Sequence, residues 1–184
     1  MHGFSLPEVL IVLTVLLILT AIATPSFVRA TQNYRLTDAA SQVAGIMKAT
    51  RFEAIQRDTT YVWRIAQAGN TTNIWDSDVN GVVDAKEKMA QFTSNVNVVA
   101  AGTVPDTAGL ATAIAVPVLT AVPPASGNLT FDARGAVTGA PAIYAVYLSN
   151  APNGGTSYRA VILLPSGITQ IWAATSAGGW HQLD

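Results

Sequence analysis

The densest run of ligand-type side chains is Asp76-Ser-Asp-Val-Asn-Gly-Val-Val-Asp-Ala-Lys-Glu87. It fits D-x-[DN]-x-[DN]-G-x5-E, the twelve-residue calcium loop. In that reading Asp76, Asp78 and Asn80 supply side-chain oxygens and Gly81 makes the sharp turn. Val82 offers its backbone carbonyl, Asp84 acts directly or through water, and Glu87 binds with both oxygens. Four carboxylates in twelve residues repel one another, and a hard cation such as Ca2+ relieves that cost. The flanks, Asn73-Ile-Trp75 and Met89-Ala-Gln-Phe92, read as strands and not as the helices of an EF-hand. The alternative is a plain hairpin turn at Asn80-Gly81 with solvated acids, because that dipeptide is the strongest short hairpin signal.

A second carboxylate stands out by its isolation. Glu8 is the only charged side chain between Met1 and Val28, and it opens a run, residues 9–23, with no charge at all. A helix over residues 4–28 spans roughly 37 Å at 1.5 Å per residue, enough for a bilayer core of about 30 Å. A carboxylate at the start of such a segment is costly and marks function. No basic stretch precedes the apolar run, which argues against a cleaved secretory signal.

The arrangements needed for catalysis are missing. The sequence has no cysteine and two histidines, His2 and His181. No serine sits in a nucleophile elbow, and no phosphate-binding glycine loop occurs. Only 11% of residues are charged, half are hydrophobic, and the net charge is -1. After Lys88 the only basic side chains with fixed charge are Arg134 and Arg159. They are too few to meet a run of phosphates. An enzyme and a nucleic-acid binder are therefore both disfavoured.

The elements that carry these residues follow from periodicity. From Ser26 to about Arg57 the pattern turns amphipathic, with Leu36, Ala39, Ala40, Val43, Ile46, Met47, Thr50, Ala54 and Ile55 at three- and four-residue steps. Asp58-Thr59-Thr60 ends it. Pro25, between the apolar and amphipathic halves, is expected to kink or loosen the helix. Strands are expected at 61–65, 88–93, 96–100, 128–132, 143–149, 158–164 and 168–173. Pro165-Ser-Gly167 joins the last two as a hairpin. Trp63, Trp75 and Trp172 fall in strands, and Trp180 is expected to pack back on the sheet, the alternative being an exposed residue that contacts a partner. The stretch 102–127, with Asp106 as its only charge, reads as an exposed or edge insertion. The fold class is α+β, one long helix packed on an antiparallel β-sheet head. Its parts are residues 1–3, 4–28, 29–58 and 59–184, with an insertion at about 101–127.

The stretch Gly3-Phe4-Ser5-Leu6-Pro7-Glu8-Val9-Leu10 resembles the processing signal of type IV prepilins. The resemblance implies that a prepilin peptidase cuts after Gly3, that Phe4 becomes the methylated N-terminus, and that Glu8 pairs with a neighbouring subunit's Phe4 amine. It implies a single-pass inner-membrane protein with its head in the periplasm or outside, later built into a pilus or pseudopilus with other pilins. Arg51-Phe-Glu-Ala-Ile-Gln-Arg57, Val62-Trp63, Asn128-Leu-Thr-Phe-Asp-Ala-Arg-Gly135 and Tyr158-Arg-Ala-Val-Ile-Leu-Leu-Pro-Ser-Gly-Ile168 resemble one branch, the GspH/FimT-like minor pilins and pseudopilins. Some FimT-like proteins capture DNA, which makes DNA uptake the second reading. Related pseudopilins also carry Asp- and Asn-rich turns like the one at 76–87.

Overall fold

The computed structural model describes residues 5–68, 71–78, 87–93, 96–138, 142–151 and 155–183. The chain divides into two compact units, Met1–Tyr34 and Arg35–Asp184. A single helix, α1 (Leu6–Gln56), contributes to both and runs through Pro25 without a break. In the first unit every described residue from Ser5 to Ala30 is exposed, including the whole apolar run. The hydroxyls of Thr14, Thr20 and Thr24 donate to the carbonyls of Leu10, Leu16 and Thr20, four residues back. These threonines therefore satisfy themselves without water, which an apolar surround requires.

The second unit begins where α1 acquires a buried face. Leu36, Ala39, Ala40, Val43, Ala44, Ile46, Met47, Thr50 and Ala54 are buried, the stripe expected from the sequence with Ala44 added. Ile55 departs from expectation and stays partly exposed, because it lies at the helix end over Gly135. The helix closes with Asp58 at a φ of 49°. The N–H groups of Asp58 and Thr59 donate to the Ile55 and Ala54 carbonyls. This is a Schellman closure with aspartate in the usual glycine place.

The strands form two sheets. The first has the order β3 (Met89–Thr93), β2 (Thr71–Ser77), β1 (Tyr61–Ala68), β6 (Gly127–Phe131), all antiparallel. The second runs β10 (Gly178–Leu183), β9 (Thr169–Thr175), β8 (Ser157–Leu163), β7 (Tyr144–Ser149), β4 (Asn97–Val99). Its pairs are antiparallel except that β5 (Thr120–Ala121) joins β7 in parallel. The sequence suggests one sheet, whereas the structure splits the head into two, both packed on α1. Trp63, Ile65, Ile74 and Phe131 from the first sheet and Val98, Val146, Leu148, Val161 and Leu163 from the second meet the helix stripe in one core. Burying side chains of this size contributes about 1.5–3 kcal/mol each.

The stretch expected as an exposed or edge insertion is exposed over much of its length and also serves as a cover. A 3₁₀ turn (Ala101–Thr103) and helix α2 (Thr107–Ala113) lie over the outer face of the second sheet. Leu110 is fully buried there with Val104, against Tyr147, Tyr158, Ala160, Ile162 and Trp172. The physical reason lies in the sheet itself. β7 and β8 are buried on successive residues. Both of their faces therefore need covering. The edge part of the expectation holds for β5 alone. Trp180 packs back as expected, its indole N–H donating to the carbonyls of Pro105 and Asp106. β10 itself is not foreseen from the sequence.

Candidate functional site

At the N-terminal end, Ser5 precedes the first helical residue and Glu8 sits three positions on. The Glu8 carboxylate accepts from both the backbone N–H and the hydroxyl of Ser5, each at 3.5 Å. Ser-x-x-Glu is a capping-box signal legible in the sequence, and it assigns Glu8 a local task besides any pairing with a neighbour. The carboxylate also stands at the positive end of the helix dipole. Gly3 and Phe4 lie outside the described residues.

Of the six candidate calcium ligands, Asp76, Asp78 and Glu87 are described, while Asn80, Val82 and Asp84 lie outside the described residues. The segment is the connection of the β2–β3 hairpin, so its flanks are strands, as the sequence indicates. The structure draws its two ends together. Asp76 and Lys88 exchange backbone contact, with the Asp76 N–H on the Lys88 carbonyl at 3.1 Å. The Lys88 N–H donates to the Asp76 carboxylate, and the Asp78 N–H donates to Glu87 Oε1 at 3.0 Å. Asp76 is only 3% exposed, and this burial raises its pKa above the ordinary carboxylate value, against the opposing pull of the Lys88 N–H. Among the described residues no group of three or more His, Cys, Asp or Glu is spaced to hold a metal. The described donors thus close the base of the loop, and a cation cage would need the other three.

Three of the quoted sequence motifs converge on one side chain. Arg51, on the last turns of α1, donates from Nε to the Gly135 carbonyl at 3.0 Å and from Nη1 to the Gly167 carbonyl at 3.4 Å. Gly135 ends the turn after β6, which Asp132 braces by accepting from the N–H groups of Arg134 and Ala136. Gly167 ends the β8–β9 turn, its N–H on the Leu164 carbonyl. One guanidinium therefore ties the helix to a turn from each sheet. Glycine at 167 is favoured by its φ of 78°, and a Cβ there would press on the Arg51 guanidinium and force it to shift. The sequence flags the three motifs but not their meeting point, because the contacts span 84 and 116 residues.

The arrangement offers no assembled nucleophile, base or cofactor cradle among the described residues, and His181 is exposed on β10. The exposed apolar stretch of α1, with one carboxylate at its start, runs on into the part of the same helix that packs on the sheets. Residues 1–24 match the family model for the prokaryotic N-terminal methylation motif. The match covers the N-terminal segment of the chain alone. Among solved structures, it is similar to the crystal structure of the Pseudomonas aeruginosa type IV minor pilin FimU. The two share 17% identity, with 77% of this chain and 90% of that chain covered and a TM-score of 0.48. No curated protein matches the chain.

Proposed function

We propose that the protein is a minor pilin or pseudopilin, an assembly subunit of a type IV pilus or type II secretion pseudopilus. The observation that carries this reading is Glu8 at the head of the exposed, charge-free run of residues 9–23, within a methylation motif. The helix is long and apolar enough to cross a membrane. In this reading prepilin peptidase cuts after Gly3, the inner membrane holds the helix, and Glu8 neutralises the Phe4 amine of the next subunit, since neither charge is tolerable alone in lipid. Coexpression with a prepilin peptidase, followed by N-terminal mass spectrometry, is expected to find Phe4 first. An intact leader, or a cut after Ala23, overturns the reading. Glu8→Ala is expected to leave membrane insertion intact and to remove the subunit from sheared fibres.

DNA capture ranks below assembly. Of the two arginines after Lys88, Arg159 is buried and bonded to Thr37 and to the Tyr158 carbonyl, which leaves Arg134 nearer to solvent. Duplex binding that is weak and steeply salt-sensitive is the expected result.

Calcium at the β2–β3 loop belongs to the same proposal. The loop base, closed through Asp76, Asp78 and Glu87, supports it. Calcium binding only the folded chain stabilises it by about 2.7 kcal/mol at a hundredfold excess over the dissociation constant. Thermal melts of the full chain in detergent, with calcium and then with chelator, are expected to separate. Superimposable curves at millimolar calcium reduce the segment to an acidic hairpin.

A further inference from the structure

Arg159 is an anomaly of the second sheet. It sits on β8 in the row Leu148, Arg159, Ala173, His181, and shares the helix-facing side with Val161 and Leu163. The residue is 8% exposed. Its Nε donates to the Thr37 hydroxyl at 3.1 Å and its Nη1 to the Tyr158 carbonyl at 2.8 Å. Both acceptors are neutral. The ion pairs of the described residues join Glu53 to Arg57 and to Lys88, and none reaches Arg159. Buried charges are ordinarily paired. Here burial alone acts on the guanidinium and lowers its pKa, with no neighbouring acid opposing it.

The third nitrogen completes the picture. Nη2 has no partner among the described residues, yet it is not among their sealed, unbonded atoms. The guanidinium is thus fixed on two sides, through Nε and Nη1, and Nη2 is the donor edge left for a further acceptor. Two fixed bonds remove rotamer freedom in advance, so an incoming acceptor meets a pre-organised donor edge. Charge selects the acceptor. One uncompensated positive charge with no second cation beside it matches a single negative charge, whereas a phosphate near -2 would bring an excess into a poorly solvated place.

We propose that Arg159 is a pre-formed anion site that takes one carboxylate through Nη2. Two sources share this chemistry, a free small carboxylate and an Asp, Glu or C-terminal carboxylate of another protein chain. The site does not depend on the pilin reading and stands or falls separately from it.

The test uses the full chain in detergent, with acetate as the probe and chloride at equal ionic strength as the control. Acetate is expected to raise the melting temperature saturably by a few degrees. Arg159→Gln is expected to abolish that response, and Thr37→Val to weaken it by freeing the guanidinium. Equal acetate responses in the unmodified chain and Arg159→Gln, or none in either, overturn the proposal. Should Arg159→Gln fail to fold, the Arg159 Nε–H resonance of the unmodified chain decides: a saturable acetate shift supports the site, and an unmoved resonance overturns it. Sedimentation then separates the sources. Self-association that acetate dissolves and Arg159→Gln lacks identifies a carboxylate from a second copy, whereas a monomer with a saturable acetate response identifies a carboxylate from outside the chain.

Discussion

The two halves of α1 share one backbone conformation and have opposite relations to their surroundings. Residues 9–23 are apolar on every side and exposed throughout, while residues 36–54 are apolar along one stripe, and that stripe is buried. The difference is one of period. A helix apolar all round needs an apolar environment on all sides, such as lipid or neighbouring helices, whereas a stripe needs one flat partner, which the two sheets supply. Helix propensity does not distinguish the halves. What distinguishes them is the interval at which Arg35, Asp38, Gln42 and Lys48 interrupt the apolar positions.

The largest effect that can break this comparison is a cavity under the stripe. Leu36→Ala removes a fully buried side chain and is expected to cost about 2–5 kcal/mol in urea unfolding of the full chain in detergent. Leu16→Ala, at a side chain 53% exposed, is expected to change head unfolding by less than about 0.5 kcal/mol. Equal costs at the two positions would mean that the apolar half also packs against the head.

A middle-sized effect sharpens the account of how the stripe is held down at its far end. Gly167→Ala forces a side chain into a φ of 78° and against the Arg51 guanidinium. It is expected to cost roughly 1–3 kcal/mol. Arg51→Ala leaves the Gly135 and Gly167 carbonyls without that donor and is expected to cost about 1–3 kcal/mol. Because both changes strike the same contact, the double variant is expected to cost less than the two single costs combined, as measured by a double-mutant cycle. Strict additivity would deny Arg51 its bridging role.

These features are unequally legible in the sequence. The buried stripe of α1 and seven strands follow from spacing and residue type alone, because each pattern is local and repeats several times. The cover over the second sheet is legible in its need and not in its form. Tyr144-Ala-Val-Tyr-Leu148 and Tyr158-Arg-Ala-Val-Ile-Leu163 lack polar alternation, which announces two buried faces, but α2 is seven residues long with Leu110 as its one buried residue and shows no period. β10 is hidden because Gly178 and Gly179, at φ of 85° and 78°, read as a turn, and the register shifts between Gly178 and His181. The local pairing of Ser5 with Glu8 is written in the sequence as Ser-x-x-Glu but lies in the shadow of the stronger signal of Glu8.

The smallest expected effect concerns Asp76, the notable acid of the head. Asp76 is buried, and its carboxyl is held above the ordinary carboxylate value chiefly by desolvation. A raised folded-state pKa means that the folded chain binds this proton more tightly than the unfolded chain does. Stability from this group therefore falls as pH climbs from the ordinary value, near 3.9, through the raised one, and is level above that. Asp76→Asn keeps an oxygen to accept from the Lys88 N–H and discards the charge. The variant is expected to match the unmodified chain at pH 3 and to exceed it modestly at neutral pH, in urea midpoints measured across the range with chelator present. Adding calcium supplies the other arm. If the loop holds the ion, the neutral amide of Asp76→Asn lacks a ligand charge, so calcium is expected to stabilise the unmodified chain more and to narrow or reverse the difference. An advantage for Asp76→Asn that does not change with pH would refute the buried-charge account, and one that does not change with calcium would leave the acidic hairpin as the reading of this loop.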